Sequence, residues 1–158
     1  MPTYRTVRRV RHGAADMFAL VADVERYPQF LPWCVACRVR QRVAGAGGIE
    51  TITADMTVGY RAIRETFTSR ALLDAANLKI AVEYLDGPFR HLENTWHFVP
   101  VEDRAADVEF FITYEFRSRT LALVMGAMFD VAFRRFAEAF ERRADALFGD
   151  GSAGATQL

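Results

Sequence analysis

The chain has 158 residues, 51% of them hydrophobic and 25% charged, with 20 basic and 20 acidic side chains. That composition fits one soluble globular domain with room for a sizeable core. Zero net charge speaks against a general nucleic-acid binder. The longest apolar run, Leu121–Phe129, falls well short of the ~20 residues a membrane helix needs. A charged N-terminus carries no secretory signal. The expected location is therefore the cytoplasm, with any membrane met peripherally from its inner face.

In chain order, residues 3–12 (TYRTVRRVRH) read as a strand whose Val7 and Val10 fall on opposite faces. Residues 13–26 read as a short helix with Met17, Phe18, Leu20, Val21 and Val24 on its apolar side. Residues 27–33 (YPQFLPW) hold Pro28 and Pro32, so they support only a broken helical turn. Val35–Val43 then alternates Val35, Cys37, Val39, Gln41 and Val43 against Ala36, Arg38, Arg40 and Arg42.

Similar period-two runs follow at Glu50–Tyr60, Ala62–Ser69, Leu78–Leu85, Leu92–Val99 and Val108–Arg117, separated by turn residues such as Asp86-Gly87-Pro88. The last element is a long helix from about Thr120 to Phe148. Phe129, Phe133, Phe136, Phe140, Ala144 and Leu147 form its inner stripe, and Arg134, Glu138, Glu141 and Asp145 its wet face. At 1.5 Å per residue it spans roughly 42 Å, enough to cross a whole sheet. Residues 149–158 (GDGSAGATQL) are small and polar and read as a disordered tail. The order predicts an α+β pair of layers, with a curved antiparallel sheet covered by one helix and space left between them.

Residues 33–37 (WCVAC) imitate a redox motif. In that chemistry the first Cys opens a helix whose N-terminus stabilises its thiolate. Here the second Cys leads into a strand. Extended spacing puts the two Cα atoms about 10 Å apart, beyond disulfide reach. No second Cys pair completes a zinc site.

Extended to residues 24–39 (VERYPQFLPWCVACRV), the same stretch resembles the signature of the coenzyme Q-binding START-like family, within the START/polyketide-cyclase superfamily. The likeness continues through YLDGPFRHLENTWHF (84–98), VEFFITYEFRSRTLALVMGAMFD (108–130) and AEAFERRADALFG (137–149), nearly the whole chain. The resemblance implies a helix-grip fold, a seven-stranded antiparallel sheet gripping the C-terminal helix, over residues 1–148. It also implies one of two roles. Some members bind ubiquinone or its polyprenyl precursors in support of respiration, and some bacterial members are ribosome-association toxins acting on the large subunit.

A quinone carrier needs an apolar pocket with a few polar groups aimed at the ring oxygens. The expected walls are Phe67, Trp96, Phe98, Tyr114 and Phe116 from strands, and Met125, Phe129 and Phe133 from the helix, each of which reads equally as plain core when taken singly. Glu65, Asn94, Tyr84 and the Tyr114 hydroxyl are the expected polar groups, with Glu65 facing either the cavity or, in the other register, the outside. Tyr27, Phe30, Leu31, Pro32 and Trp33, with Phe89 after Gly87-Pro88, suggest a lid or a membrane-dipping rim, or else packing over the sheet end. Gly126 suggests room for a ligand or close approach of helix to sheet. Leu121–Phe129, apolar all round, is expected to meet the cavity on one side and a membrane or partner on the other.

Arg5, Arg8, Arg9 and Arg11, with Arg38, Arg40 and Arg42, read as a docking patch for phosphate on anionic lipid or RNA, or as solvated strand faces. His12, His91 and His97 show no metal spacing, and no nucleophile–base pair or phosphate loop is visible. A metal, an organic cofactor and enzymatic turnover are therefore not expected; the bound molecule would be an isoprenoid quinone.

Overall fold

The structure is a computed structural model that describes residues 2–60 and 62–149. The expected tail lies, past Gly149, outside the described residues. The elements are β1 (Thr3–Val10), α1 (Ala14–Ala22), a 3-10 turn (Val24–Gln29), β2 (Cys34–Ala44), β3 (Ile49–Tyr60), β4 (Ile63–Asp74), β5 (Lys79–Asp86), β6 (Phe89–Glu102), β7 (Ala105–Phe116) and α2 (Arg119–Phe148). The seven strands form one curved antiparallel sheet in the order β1-β7-β6-β5-β4-β3-β2, which leaves β1 and β2 on opposite edges.

Alternation makes the sheet two-faced. Along β7, Val108, Phe110, Ile112, Tyr114 and Phe116 are buried against the helix. Each fully buried side chain of this size contributes about 1.5–3 kcal/mol. α2 starts at Ser118, whose side-chain oxygen accepts a hydrogen bond from the Leu121 N–H at 3.0 Å. It buries Met125, Met128, Phe129, Ala132, Phe133, Phe140 and Ala144 on the concave face. Leu147, expected in this stripe, is 53% exposed, because the sheet beneath has ended. Glu141 and Asp145 do not face water freely. They reach β1 and its end, where Arg8 donates to Glu141 at 2.7 Å and His12 Nε2 meets Asp145 Oδ1 at 2.7 Å. These contacts tie down the second half of α2.

The simple alternation expected for β2 is broken twice. Register shifts lie between Cys34 and Ala36 and between Val39 and Gln41. A bulge adds one residue, and a one-residue slip turns the following side chains to the other face. Val35 and Val43 are consequently exposed. Arg42 pairs across from buried Ile52, so it points to the concave side, where it meets Glu50 at 2.7 Å and Glu25 at 3.7 Å. The first bulge also turns Cys34 and Cys37 to the same face, opposite Val58 and Met56.

The β5–β6 turn depends on Gly87. Its φ is 144°, and a Cβ there would sit 2.6 Å from the Phe67 Cβ. Crossing so close to β4, the turn delivers Phe89 into the interior.

Candidate functional site

Between sheet and α2 lies a cavity of ≈130 Å³. It exists because the middle of the concave face is lined by small residues. Ala54 pairs across from Ser69, and Ala71 sits between Ile52 and Val82. Met56, Val58, Phe67, Leu73, Ile80, Leu92, Trp96, Phe110 and Ile112 complete the sheet wall. Phe129, Phe133, Phe136 and Phe140 close it from α2, and Val21, Val24, Tyr27 and Leu31 from the α1 side. The volume is below the roughly 300–1,000 Å³ usual for small-molecule sites. A molecule of that usual size would enter only if aromatic side chains yielded.

Of the residues expected from sequence, Phe67, Asn94, Trp96, Phe129 and Phe133 line this cavity. Glu65 is on the concave face, across from Val58, but half-buried beyond Phe67 towards the β3–β4 turn and outside the lining. Its carboxylate makes no hydrogen bond or ion pair among the described residues. Tyr84 is occupied structurally, its hydroxyl accepting the Phe89 N–H at 3.0 Å. Phe98 lies parallel to Trp96 and meets Phe18 edge-on, facing away from the space. Tyr114, Phe116 and Met125 are buried further towards the start of α2. The sequence alone did not single out Phe110, Phe136 and Phe140, or the small Ala54, Ser69 and Ala71, which face one another only once β3 and β4 pair.

The polar chemistry of the cavity is sparse. Asn94 Nδ2 donates to the Phe111 carbonyl at 2.9 Å, and Asn94 Oδ1 accepts from Trp96 Nε1 at 3.1 Å. One N–H and one lone pair of the amide remain for a ligand. Ser69 makes no side-chain hydrogen bond among the described residues, so its hydroxyl is also available. The Tyr27 hydroxyl donates to the Val21 carbonyl. Burial pushes the Cys34 thiol up to about 11 and the Cys37 thiol up to about 12, so both are protonated at neutral pH. Neither forms a disulfide, and neither is a poised thiolate. Among the described residues no group of three or more potential ligands is placed to hold a metal ion.

The aromatic loop packs inward. Tyr27 and Leu31 are buried and line the cavity. Phe30 meets Tyr27 and Phe140 edge-on at 6.0 and 5.2 Å. Pro32 and Trp33 are half-buried. Trp33 adopts a left-handed backbone (φ 62°), unusual for a bulky residue, held by the Gly59 N–H on its carbonyl at 2.9 Å and by Tyr60 at 5.9 Å. The loop thus packs over the sheet end and walls the cavity with Tyr27 and Leu31, the second of the two expected arrangements. Phe89, expected at an exposed turn, is 0% exposed. It sits among Phe67, Tyr84, Tyr114, Phe116 and Phe129 at 4.9–6.0 Å and plugs the space towards the start of α2.

The expected basic patch does not form. Its two halves lie on opposite edges of the sheet, and most of its charge is matched. Arg8 pairs with Glu141, Arg9 with Asp107, Arg40 with Asp55 and Arg42 with Glu50. Arg5 lies over the Phe111 ring at 4.5 Å. Arg11 and Arg38 are exposed and make no ion pair among the described residues.

A model of the family described as polyketide cyclase/dehydrase and lipid transport matches residues 10–141. The ribosome association toxin RatA of Escherichia coli is 33% identical over 148 residues, 94% of this chain and 90% of that protein. Coenzyme Q-binding protein COQ10 homolog B of Xenopus laevis, a mitochondrial protein, is 29% identical over 138 residues, 85% of this chain and 54% of its own length. A START superfamily protein from Mycobacterium smegmatis shares the fold at 18% identity, with a TM-score of 0.76 over 92% of this chain and 98% of that one.

Proposed function

The chain belongs to the polyketide cyclase/dehydrase and lipid transport family, and on that footing we propose that it carries an isoprenoid quinone, ubiquinone or a polyprenyl precursor, in the cavity between its sheet and α2. The carrying observation is an almost wholly apolar space with the Asn94 amide held fixed in its wall. Such a site shelters a hydrophobic ring and gives one carbonyl a hydrogen-bond donor. The mechanism is reversible burial, and no residue is assigned a bond-making step. Phe89 and Phe129 yield on entry, since the resting space is smaller than the ligand. The protein works in the cytoplasm and visits the inner face of the membrane, where quinones reside. The COQ10 relative is named for coenzyme Q binding, which supports this reading.

Trp96 lines the cavity and reports its occupancy. Titration with a short-tailed ubiquinone should quench Trp fluorescence saturably, and Ala54→Phe, which fills the space, should abolish the saturable part. Equal quenching in that variant would refute binding in this cavity.

A second reading is association with the large ribosomal subunit. The observation favouring it is the RatA relative, which matches at higher identity and over a larger share of its own length than the COQ10 relative. Contacts to RNA phosphates would weaken steeply with salt, whereas quinone burial would not. Salt-dependent co-sedimentation with the subunit, lost in a variant neutralising the exposed Arg11 and Arg38, would support it.

A further inference from the structure

α2 has an apolar face that nothing among the described residues covers. Thr120, Leu123, Val124, Ala127 and Val131 recur at steps of three and four and are all exposed. Leu123 is 84% exposed, Val124 45% and Val131 38%. On the opposite side of these turns Met125, Met128 and Phe129 are buried. The first half of α2 is thus apolar on both sides, whereas the second half presents Arg134, Glu138 and Arg142 outward.

Cations frame the stripe. Arg119 is exposed and unpaired among the described residues. Arg117 donates to the Phe89 carbonyl and reaches Asp86 only at 4.0 Å. Both line a groove of ≈750 Å³ beside α2, together with Arg90, whose nearest acid is Glu115 at 3.4 Å, and Asp130, which pairs with Arg134 at 3.3 Å. Arg135, further along, is also exposed and unpaired among the described residues.

We infer that this face of α2 docks the protein on a bilayer containing anionic phospholipid, with Leu123 and Val124 at the acyl boundary and Arg117 and Arg119 among headgroup phosphates. Leucine and valine beside arginines is the chemistry of an interfacial helix. No helix of the described residues is long and apolar enough to cross a membrane, so the contact is superficial. A second copy of the chain fits less well. The stripe offers about five side chains where a stable interface uses roughly 20–30 residues a side, and a two-fold pairing would bring like-charged rims together. The inference deepens the carrier reading: Phe129, in the same turns, lines the cavity, so docking sets the site one helix thickness from the lipid.

The test is flotation of the full chain with vesicles of phosphatidylcholine, with and without phosphatidylglycerol. Binding should need phosphatidylglycerol and should fall at least about tenfold in Leu123→Asp/Val124→Asp. In Arg117→Gln/Arg119→Gln it should fall about tenfold. Both pairs are on the surface, and unchanged thermal melts establish that the variants fold. Absence of flotation, or flotation untouched by the Leu123/Val124 change, overturns the inference; so does a dimer in sedimentation that the same change dissolves. The quinone titration keeps the two claims apart. Quinone binding without flotation removes only the docking claim, and flotation without quinone binding removes only the carrier reading.

Discussion

Asn94 and Trp96, alternate residues on β6 and both facing the cavity, are joined through their side chains, with Trp96 Nε1 donating to Asn94 Oδ1 at 3.1 Å. The same amide donates to the Phe111 carbonyl, so its orientation is fixed from two sides. An apolar cavity thereby acquires one oriented polar point. Asn94→Leu keeps the volume but leaves the buried Trp96 N–H without a partner, at a cost of about 1–3 kcal/mol. Urea unfolding should show that loss. Ubiquinone affinity should fall further than that of a prenyl hydrocarbon, which needs no donor.

Phe89 is the second test. It packs behind the cavity against Phe67 and Phe129, which line it, so the proposed ligand would gain room if Phe89 were trimmed. Phe89→Ala should destabilise the fold by about 3–5 kcal/mol, measured by denaturant unfolding, and should increase binding of an apolar fluorescent probe. Phe89→Leu should do both to a smaller degree. Unchanged probe binding in a folded Phe89→Ala protein would mean that Phe89 does not bound the cavity.

Gly126 gives a prediction of opposite sign. Among the described residues nothing lies within 4 Å of where its Cβ would be, so the glycine neither permits close approach to the sheet nor makes room inside the cavity. Gly126→Ala should stabilise the protein by about 0.5–1 kcal/mol through helix propensity. A lower melting temperature would show that the bend or freedom of the helix there is needed.

The thiols set an alkaline limit. Cys34 and Cys37 are held protonated by burial, at about 11 and about 12 against an ordinary 9.0. A raised folded value means the stabilisation is complete below the unfolded value and is lost as pH rises from about 9 through the folded values. Burial also raises Tyr27, in the same sense. Stability should therefore decline above pH 9. The decline should be shallower in Cys34→Ala/Cys37→Ala, and alkylation at pH 8 should be slow until the chain is unfolded.

Much of the architecture was legible because it rests on period and length. Alternation along β3 to β7 and the phenylalanine spacing of α2 each answer to one buried face. β2 was harder. Its bulges are backbone events that leave no residue signature, and each displaces the alternation by one position, which carried Arg42 inward and Val43 outward. The basic residues misled for a different reason. Arg8 and Glu141 are partners 133 positions apart, and only the tertiary fold brings them together. Phe89 looked exposed because it follows a Gly-Pro turn, yet that glycine lets the turn cross close to Phe67 and directs the ring inside. Of the aromatic walls, Phe67, Trp96, Phe129 and Phe133 stood out by size, whereas Phe110, Phe136 and Phe140, and the small Ala54, Ser69 and Ala71 that create the empty volume, did not stand out as site residues.

The central claim is that this cavity holds an isoprenoid quinone. The most direct measurement is organic extraction of the protein purified from its own host, followed by mass spectrometry. The account predicts a quinone or prenylated precursor near one per chain, and its loss in Ala54→Phe. A folded protein that carries no such lipid, and that instead co-sediments with the large ribosomal subunit in a salt-sensitive manner, would contradict it.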